Sequence, residues 1–528
     1  MNISLSNLIN DAKTHFNEGN YKSSIIICND ILKIDPNNLE GLYITSNIFL
    51  QSRKFELAIN ILNKLISLSK KNTVFYFNLA IAYEGINSHK EAENNYLLAI
   101  KYDPRSIPAL VNLGNLYQQQ EKYEKSITQY NKANQISTSD EKIYNNLGLS
   151  YFKMKLYEKS LDHYQKAVNI NPEYEEAIFG LGNCHDNLGN PNQAIKNFKE
   201  VISLNPKHAR AYLNLAQTQL AISDFNNGWI NYDWRFNKEV PMGLDLPNYN
   251  IPIWDPSKKI SKLLVTCEQG VGDQILFYSL LQEFQDLNID VSVTIEPKIL
   301  SIFQRSLPDI SFIERGTSID ESQFDTYLPM CNLGKIFRSK SSYFQNIKEK
   351  YLIPNLEKTN LMKSRVSKNK IKCGISWKSN NAFIGNGKSF ELQMLEPLLK
   401  NKNIEFINLQ YGNVEQDLNY IKDKFQTNIL DTSDIDNFSD MEGLASLISS
   451  CDIIVTSSNS NAHLAGALGK ETYLIIPKTG SLIWYWEHQI NQVSQWYKSI
   501  NIFKQKELYL WEEPILRINE IINKKYFQ

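Results

Sequence analysis

The feature that most constrains this sequence is a period of 34 residues in its first half. Prolines stand at Pro36, Pro104, Pro172 and Pro206, at separations of 68, 68 and 34 residues. A leucine, a small residue and a later aromatic residue keep the same phase. The leucines are Leu79, Leu113, Leu147, Leu181 and Leu215, the small residues are Ala80, Gly114, Gly148, Gly182 and Ala216, and the aromatics are Tyr96, Tyr130, Tyr164 and Phe198. A small residue lets two helices approach closely, an aromatic ring fills the space beside it, and proline ends the second helix. The pattern therefore predicts one helix pair in each unit.

This period and pattern resemble the tetratricopeptide repeat. We expect six units, at 5–38, 39–72, 73–106, 107–140, 141–174 and 175–208, with a partial seventh from about 209 to 238. Such pairs stack into a superhelix whose concave face usually binds peptide or protein. Asparagines off the consensus either hydrogen-bond an extended peptide, as asparagine ladders in related superhelices do, or are solvated or capping residues. They are Asn78, Asn112, Asn115, Asn146 and Asn214.

Composition excludes several classes of function. The net charge of -1 gives no strong field to attract nucleic acid or an acidic membrane. The six cysteines form no CxxC pair and the seven histidines no cluster, which favours buried reduced thiols and predicts no metal site. No apolar run approaches the roughly 18 residues of a membrane span. We expect a cytoplasmic protein.

The second half of the chain predicts an α/β architecture. Candidate strands lie at 262–266, 291–295, 311–314 and 326–329, and a second series lies at 372–377, 405–409, 428–431, 452–456 and 472–476, with helices between them. This alternation predicts parallel sheets with helical crossovers. The expected fold class is therefore α plus α/β: a repeat solenoid followed by two Rossmann-like domains.

The expected domains follow from these patterns. They are the repeat superhelix at 1–238, a proline-rich packed linker at 239–260, a first Rossmann-like domain at 261–360, a second at 361–505, and a C-terminal helix at 506–528 that crosses back onto the first. In open α/β sheets, ligands bind beyond the carboxyl ends of the strands. The loops at those ends are therefore the candidate site.

The loop after the first strand reads Glu268-Gln269-Gly270-Val271-Gly272-Asp273 and leads into a helix. Glycines let the backbone turn tightly and lie close to a ligand. The amides at a helix N-terminus favour an anionic group. Asp273 stands where the helix begins, either as a functional carboxylate or as a helix cap.

The second series has three such loops. Ser376 and Lys378 begin the first, which continues through a glycine segment to Lys388; Gln410 lies in the second; Ser458, Asn459, Ser460 and His463 lie in the third. Lysines and a flexible loop suit a diphosphate, and the third loop enters a helix whose amides could hold a phosphate. The serines and asparagines also suit plain helix capping, and a lone histidine is more often structural.

These motifs occur in an order that resembles a known family. Glu268 to Asp273, Gly374-Ile375-Ser376-Trp377-Lys378, Lys388-Ser389, Leu409-Gln410 and Asn461 to Gly469 look like the catalytic region of tetratricopeptide-repeat-linked glycosyltransferases related to the heptosyltransferase family (glycosyltransferase family 9). The resemblance implies a GT-B fold and metal-independent transfer of a sugar from a nucleotide-sugar donor, with no separate cofactor. The repeat arm suggests a protein or peptide acceptor.

The resemblance also implies roles for individual residues. Asp273 occupies the place of the general base, and Glu268, Gln269, Gly270 and Gly272 form the acceptor-side loop. The donor would be held by Ser376, Lys378, Lys388, Gln410, Ser458, Asn459, Ser460 and His463. The chain departs from the family at Ser458-Asn459, where heptosyltransferases typically have Asp-Thr.

Two other functions are consistent with parts of the sequence. A dinucleotide-dependent oxidoreductase would use Gly270-Val271-Gly272 and Glu296, but Ile275 stands where the third fingerprint glycine belongs. A non-catalytic scaffold with a degenerate nucleotide-sugar-binding domain would account for the Ser458-Asn459 departure, although the lysines and Asp273 are retained.

Overall fold

The computed structural model describes residues 4–240, 244, 246–345, 347–379, 385–430, 432, 434–478, 481–508 and 510–528. They divide into two compact units, one up to Cys184 and one from His185 onward.

Helix pairs with the predicted period form the N-terminal part of the chain. The first helices are α1 Leu5–Asn17, α3 Leu39–Gln51, α5 Thr73–Gly85, α7 Ile107–Gln119, α9 Glu141–Lys153, α11 Glu175–Asn187 and α13 Ala209–Ala221. The second helices are α2 Tyr21–Ile34, α4 Phe55–Leu68, α6 His89–Tyr102, α8 Tyr123–Ile136, α10 Tyr157–Ile170, α12 Pro191–Leu204 and α14 Phe225–Tyr232. Every predicted unit begins on the first residue of a helix, so the predicted repeat is confirmed.

The predicted pairing of a small residue with an aromatic ring is present within these helix pairs. A Cβ at Gly148 would stand 2.8 Å from Cδ1 of Tyr164, and one at Gly114 would stand 2.5 Å from Cε1 of Tyr130. Only glycine leaves room for the ring at that distance. Tyr130 is fully buried as a result.

A left-handed residue separates the two helices of each pair at the same 34-residue interval. These residues are Gly19, Arg53, Asn87, Glu121, Lys155, Gly189 and Ser223, with φ between 54° and 78°. The next amide bonds back into the first helix, as from Lys122 N to the Tyr117 carbonyl at 2.8 Å. This is the Schellman arrangement, in which a left-handed residue lets the last carbonyls of a helix find donors.

The boundary between the compact units lies inside α11, so the junction expected at 239–260 is internal to the second unit. The last repeat helices explain this, because they pack on the α/β part. Trp229 of α14 lies against Gly334 and donates from Nε1 to the Arg338 carbonyl at 2.9 Å. His488 hydrogen-bonds through Nε2 to the Leu220 carbonyl of α13 at 2.5 Å.

Parallel sheets confirm the predicted α/β region. The strands are β1 Lys262–Thr266, β2 Asp290–Ile295, β3 Ser311–Glu314, β4 Thr326–Pro329, β5 Ile371–Ser376, β6 Ile404–Asn408, β7 Ile429–Leu430, β8 Ile453–Ser457, β9 Thr472–Ile476, β10 Gln489–Ile490, β11 Val493–Ser494 and β12 Ile500–Lys504. One sheet has the order β3-β2-β1-β4 and is parallel throughout. The other has the order β10-β11-β12-β9-β8-β5-β6-β7. Its antiparallel edge β10–β11 and the parallel strand β12 were not predicted.

Helices connect these strands. They are α15 Val271–Tyr278, α16 Pro297–Ser306, α17 Asn332–Phe337, α18 Leu356–Arg365, α19 Gly385–Lys388, α20 Glu396–Leu399, α21 Glu415–Phe425, α22 Met441–Ser450, α23 Ser460–Ala467 and α24 Glu512–Tyr526. Short 3-10 helices include Asp233–Phe236 and Ser481–Trp486. Leu263, Val265, Ile454 and Leu474 are among the buried residues of the core between strands and helices.

The C-terminal helix was expected to cross back onto the first Rossmann-like domain, and this prediction is wrong. Helix α24 packs on α20, β9 and β12, which belong to the second sheet region. Ile515, Ile518 and Ile522 are fully buried in the same core cluster as β5 and β6. The spacing of these isoleucines gives α24 one apolar face, and the second sheet covers it.

Candidate functional site

Two helices that begin at the carboxyl ends of strands bring the site together. Helix α15 follows β1, helix α23 follows β8, and the two pack against each other. A Cβ at Gly272 in the first turn of α15 would stand 3.0 Å from Cδ2 and 3.5 Å from Nε2 of His463. The N-terminal turn of α15 and the imidazole of α23 therefore share one place in the fold.

Only one of the two glycines of the first loop serves this contact. Gly270 has φ −72° and ψ 173°, which any residue adopts, so it is not needed for a left-handed turn. Gly272 lacks a side chain where the His463 ring lies. The close approach predicted for a ligand or acceptor at Gly272 is therefore made by a side chain of the protein itself.

Asp273 lies in the first turn of α15, at the point where the sequence placed it. Burial raises the pKa of its carboxyl group to about 6, although the charge of Lys388 lowers it and that of Glu268 raises it. Backbone hydrogen bonds around Gly270 and Asp273 also favour the charged form. A carboxyl group with this pKa exchanges a proton near neutral pH.

Lys388 ends the short helix α19 and is 8% exposed. Burial lowers the pKa of its ammonium group, and Asp273 partly restores it. The same lysine lowers the pKa of His463. Lys388, Asp273 and His463 thus interact electrostatically although they are about 75–190 residues apart along the chain.

His463 is 3% exposed, and burial, followed by Lys388, lowers its pKa to about 3. It is therefore neutral at ordinary pH. Its Nδ1 lies 3.1 Å from the hydroxyl of Tyr497. Its ring also contacts Tyr485 and Trp486, at centroid distances of 5.3 and 4.8 Å.

Glu268 and Gln269 have structural partners that the sequence did not indicate. Arg235 donates to Glu268 from Nε at 2.7 Å and from Nη2 at 2.9 Å, and the Cys331 amide donates to the same carboxylate at 2.8 Å. Gln269 contacts Tyr232 and Cys331. These contacts fix the loop before Asp273. Arg235 was missed because an arginine beside tryptophan carries no sign of its distant partner.

Four predicted donor-binding side chains hold the strand ends together. The Ser376 hydroxyl lies 2.6 Å from that of Thr456, and Ser458 accepts from Trp486 Nε1 at 3.0 Å. Asn459 donates to Ser376 Oγ and accepts from the Asn461 amide. Gln410 accepts from the amides of Trp377 and Lys378. Hydrogen bonds inside the protein therefore occupy these groups.

Lys378 and Ser460 differ from that set. Lys378 is partly exposed and forms an ion pair with Asp417 at 2.5 Å, so a ligand would compete with this carboxylate. Ser460 is half-buried at the first position of α23, and within the described residues its hydroxyl has no side-chain hydrogen bond. Ser460, Lys388 and the α23 amides are the groups that could meet an anion.

The asparagines of the repeats hydrogen-bond to neighbouring side chains. Asn78 donates to Asn47 at 2.8 Å, Asn146 donates to Asn115 at 3.2 Å, and Asn115 also accepts from Tyr130 at 2.6 Å. Asn112 donates to the Tyr96 hydroxyl at 3.4 Å. Asn214 also has an interaction partner. The contacts of Asn78, Asn112 and Asn146 link one helix pair to the next, whereas the Tyr130–Asn115 contact lies within one pair. Asn78 is only 8% exposed.

The part of the chain that the structure describes contains neither a metal-binding cluster nor a membrane-spanning helix. Within it, no three His, Cys, Asp or Glu side chains lie close enough to hold a metal ion. No described helix is both long and apolar enough to cross a membrane.

Comparison with known protein families matches the repeat region. Residues 141–174 and 175–208 match the tetratricopeptide repeat, and residues 74–106 and 114–155 match two further descriptions of the same repeat. The matches to 74–106, 141–174 and 175–208 coincide with predicted units within one residue.

One curated relative and several solved structures are similar. The chain is 25% identical to protein FlbA of Caulobacter vibrioides over 325 residues, which cover 57% of this chain and 53% of FlbA. The chain therefore spans about half the length of this relative. YrrB, described as a TPR protein with an unusual peptide-binding site, is 25% identical with a TM-score of 0.30, covering 34% of this chain and 94% of its own. A tetratricopeptide repeat protein of Parabacteroides merdae is 17% identical with a TM-score of 0.37, covering 44% and 94%. The N-terminal part of the chain is thus a tetratricopeptide-repeat region. An α/β region with parallel sheets follows it.

Proposed function

We propose that this chain is a glycosyltransferase of the GT-B type that moves a sugar from a nucleotide-sugar donor to an acceptor. The supporting observation is the meeting of Asp273, Lys388 and His463 where α15 and α23 pack together. Each residue comes from the carboxyl end of a strand or from the loop that follows one. Two Rossmann-like domains would place such ends across a cleft.

Asp273 is proposed as the general base. A base works best when its pKa lies near the working pH, and burial raises the pKa of Asp273 to about 6. The Arg235–Glu268 pair fixes the loop before it. The carboxylate would accept the proton of an acceptor hydroxyl during transfer.

Lys388 and the first turn of α23 are proposed to hold the leaving nucleoside diphosphate. The lysine is buried and lies within electrostatic reach of Asp273. Ser460 and the helix amides add hydrogen-bond donors. These groups could neutralise a diphosphate without a metal ion.

The repeat region is proposed to bind a protein or peptide acceptor. Tetratricopeptide repeats commonly bind extended peptides along their stacked helices. The paired asparagines offer amide groups at regular intervals, although Asn47 and Asn78 already bond to each other. A peptide would have to share or replace those bonds.

A non-catalytic scaffold is the second candidate. The observation that favours it is the internal use of Ser376, Gln410, Ser458 and Asn459. A site drifting towards a purely structural role would tie up its polar groups in this way. Asp273 and Lys388 are the residues that separate the two candidates.

Incubation with UDP- and ADP-sugars tests the choice. Transfer or slow donor hydrolysis, measured as nucleoside diphosphate release, should fall about 100-fold or more in Asp273→Asn. Lys388→Met should lose more donor binding than the matched Lys378→Met, whose lysine pairs with Asp417. Binding of a donor without any turnover by the wild type would favour the scaffold. Full-rate turnover by Asp273→Asn would remove Asp273 from the mechanism.

A further inference from the structure

A chain of hydrogen bonds behind His463 determines which of its ring nitrogens carries the proton. The chain begins at the main-chain carbonyl of Ile275 in α15, which accepts from the hydroxyl of Tyr351. The Tyr351 and Tyr497 side chains interact in turn, through a hydrogen bond that acts on the pKa of both phenols. Tyr497 lies 3.1 Å from Nδ1 of His463. The chain therefore runs from a backbone acceptor to the imidazole.

The direction of each hydrogen bond follows from the first. A carbonyl oxygen can only accept, so Tyr351 uses its single proton on Ile275. The oxygen of Tyr351 is then an acceptor, and Tyr497 must donate to it. Tyr497 has no second proton, so its oxygen accepts from Nδ1–H of His463. The reverse arrangement would leave two phenol oxygens facing each other without a proton between them.

The surroundings keep every member of the chain neutral. Burial raises the pKa of Tyr351 and of Tyr497 well above the ordinary value for a phenol. Burial lowers the pKa of His463 to about 3. The amides of Tyr351 and Leu352 bond to the Ala467 carbonyl at 3.0 Å each, which fixes Tyr351 against α23. Because neutral imidazole has one N–H, a proton on Nδ1 leaves a lone pair on Nε2.

The edge of the ring that carries Nε2 faces the first turn of α15. Gly272 lies beside it, at a place where a Cβ would stand 3.5 Å from Nε2. Among the described residues, none donates a hydrogen bond to Nε2. In the part of the chain that the structure describes, several buried side-chain nitrogen and oxygen atoms are fully enclosed and lack a hydrogen-bond partner, but Nε2 of His463 is not one of them. The lone pair is thus directed to the side of the ring that faces the first turn of α15, where Asp273 lies.

We infer that His463 presents an unprotonated Nε2 to the site and accepts a hydrogen bond from a hydroxyl group of the bound ligand. A phosphate oxygen has no proton to give, so His463 does not bind the diphosphate, contrary to the expectation from sequence. Lys388 and Ser460 remain for the anion. The identity of the ligand as a hydroxyl-rich nucleotide sugar rests on the proposed function, whereas the position of the proton does not.

Two other histidines carry their proton on the other ring nitrogen, Nε2, and serve as internal references. His488 accepts at Nδ1 from Trp496 Nε1 at 3.1 Å and faces the Leu220 carbonyl with Nε2, which must therefore carry the proton. His208 accepts at Nδ1 from the Ala211 amide at 3.0 Å. Both are Nε2-protonated, so a single spectrum contains both forms.

Long-range proton–nitrogen NMR on the full chain labelled with 15N-histidine tests the inference without any ligand or turnover. The signals missing from His463→Asn identify His463, since asparagine keeps a donor towards Tyr497 but has no Nε2. The expected spectrum shows His463 protonated at Nδ1 and His488 at Nε2. A proton on Nε2 of His463, or a charged ring at neutral pH, would overturn the inference.

The relay itself is tested at a distance from the ring. In Tyr351→Phe, Tyr497 loses its acceptor and should donate to Nδ1, which moves the His463 proton to Nε2. The matched control is Tyr278→Phe, which removes another buried hydroxyl that donates to a main-chain carbonyl, that of Thr294 at 2.6 Å. His463 should keep its Nδ1 proton in this control. If Tyr351→Phe does not fold, the wild-type spectrum still decides the tautomer.

Binding measurements test the ligand group. His463→Asn should weaken UDP-glucose or ADP-glucose about tenfold, as expected for loss of one hydrogen bond. Binding of inorganic pyrophosphate, which carries no sugar hydroxyl, should be unchanged. Equal weakening of pyrophosphate would overturn the assignment to a hydroxyl. If no nucleotide sugar binds the wild type, the proposed function and the ligand assignment both fail, while the NMR result stands by itself.

Discussion

Buried polar groups find their partners nearby in the repeats and far away in the α/β unit. Asn78 bonds to Asn47, 31 residues earlier, and Gln118 bonds to Ser150, 32 residues later. In the second unit, Trp229 reaches a carbonyl 109 residues away and His488 one 268 residues away. A contact that recurs with the repeat can be read from a repeated pattern. A contact between single, distant residues cannot.

The largest change in the free energy of unfolding is expected when a contact of the second unit that does not recur with the repeat, the Arg235–Glu268 ion pair, is broken. Arg235→Met removes one partner of a fully enclosed ion pair and leaves Glu268 charged and buried, which should lower the free energy of unfolding by about 3–5 kcal/mol. Arg315→Met breaks a more exposed pair with Glu296 and should cost at most about 1 kcal/mol. Urea unfolding followed by tryptophan fluorescence measures both. The eight tryptophans all lie at residue 229 or later, so the signal reports only the second unit. Equal effects of the two substitutions would contradict the role given to Arg235.

Replacing Asp273 at the candidate site should have the opposite effect from replacing Arg235, because it should raise the free energy of unfolding. The folded protein raises the pKa of Asp273 from 3.8 to about 6, so between these values it binds more protons than the unfolded chain does. The stability from this group is complete below pH 3.8 and is lost as pH rises through 6. Asp273→Asn should therefore stabilise the second unit by about 1–3 kcal/mol at pH 8 and much less at pH 4.

The control for Asp273 is a buried polar group in the repeats. Ser160 donates to the Gly148 carbonyl at 2.7 Å, so Ser160→Ala should destabilise by about 1 kcal/mol at either pH. The measurement is thermal unfolding at the two pH values, with circular dichroism for the repeats. A destabilised Asp273→Asn at pH 8 would mean that the carboxylate is a structural cap.

Adding a side chain at the close contact between the two helices of a repeat should lower the free energy of unfolding. Gly148→Ala places a Cβ 2.8 Å from the Tyr164 ring and should destabilise the first unit by about 1–3 kcal/mol. Lys153→Ala, on the exposed end of the same helix, should change stability by less than about 0.5 kcal/mol. Circular dichroism during urea unfolding compares the two variants.

The smallest effects concern the left-handed turns. Glu121→Gly should stabilise the first unit by about 1 kcal/mol, because glycine adopts a φ of 59° without the cost that a side chain adds. Gly19→Ala, at a φ of 77°, should destabilise by about the same amount. The paired variants are measured by urea unfolding. Changes of the same sign in both would show that side-chain contacts, and not the backbone conformation, decide these positions.

The sequence predicted the fold better than it predicted the site. The phase of Leu79, Gly114 and Tyr130 located every helix pair, since each unit repeats the same local contacts. Alternating apolar runs located the parallel strands apart from β12, which was not predicted. The short edge strands β10 and β11 were missed because two residues carry no period. The C-terminal helix α24 was predicted, but its sequence does not say which sheet covers the apolar face.

The sequence pointed to residues that lie near one another in the fold, but not to the hydrogen-bond partners of each side chain. Asp273, Lys388 and His463 interact, although they come from three separate loops. Ser458 and Asn459 have the residue types that suit phosphate binding, yet Trp486 and Ser376 take up their hydrogen bonds. Nothing in the sequence around Arg235 pointed to its partner Glu268. Hydrogen-bond satisfaction is a property of the folded neighbourhood, and a sequence motif does not contain it.

The recurring left-handed turn has a consequence for how far the repeats can diverge. Glycine fills this position only twice, at Gly19 and Gly189, while the backbone hydrogen bonds recur in the other units whatever the side chain. The boundary between paired helices is therefore encoded in main-chain geometry. The repeat matches reported above cover residues 74–106, 114–155, 141–174 and 175–208, and α1 to α4, which precede them, keep the same turns. Mutation could erase the recognisable sequence of a repeat long before it altered the architecture.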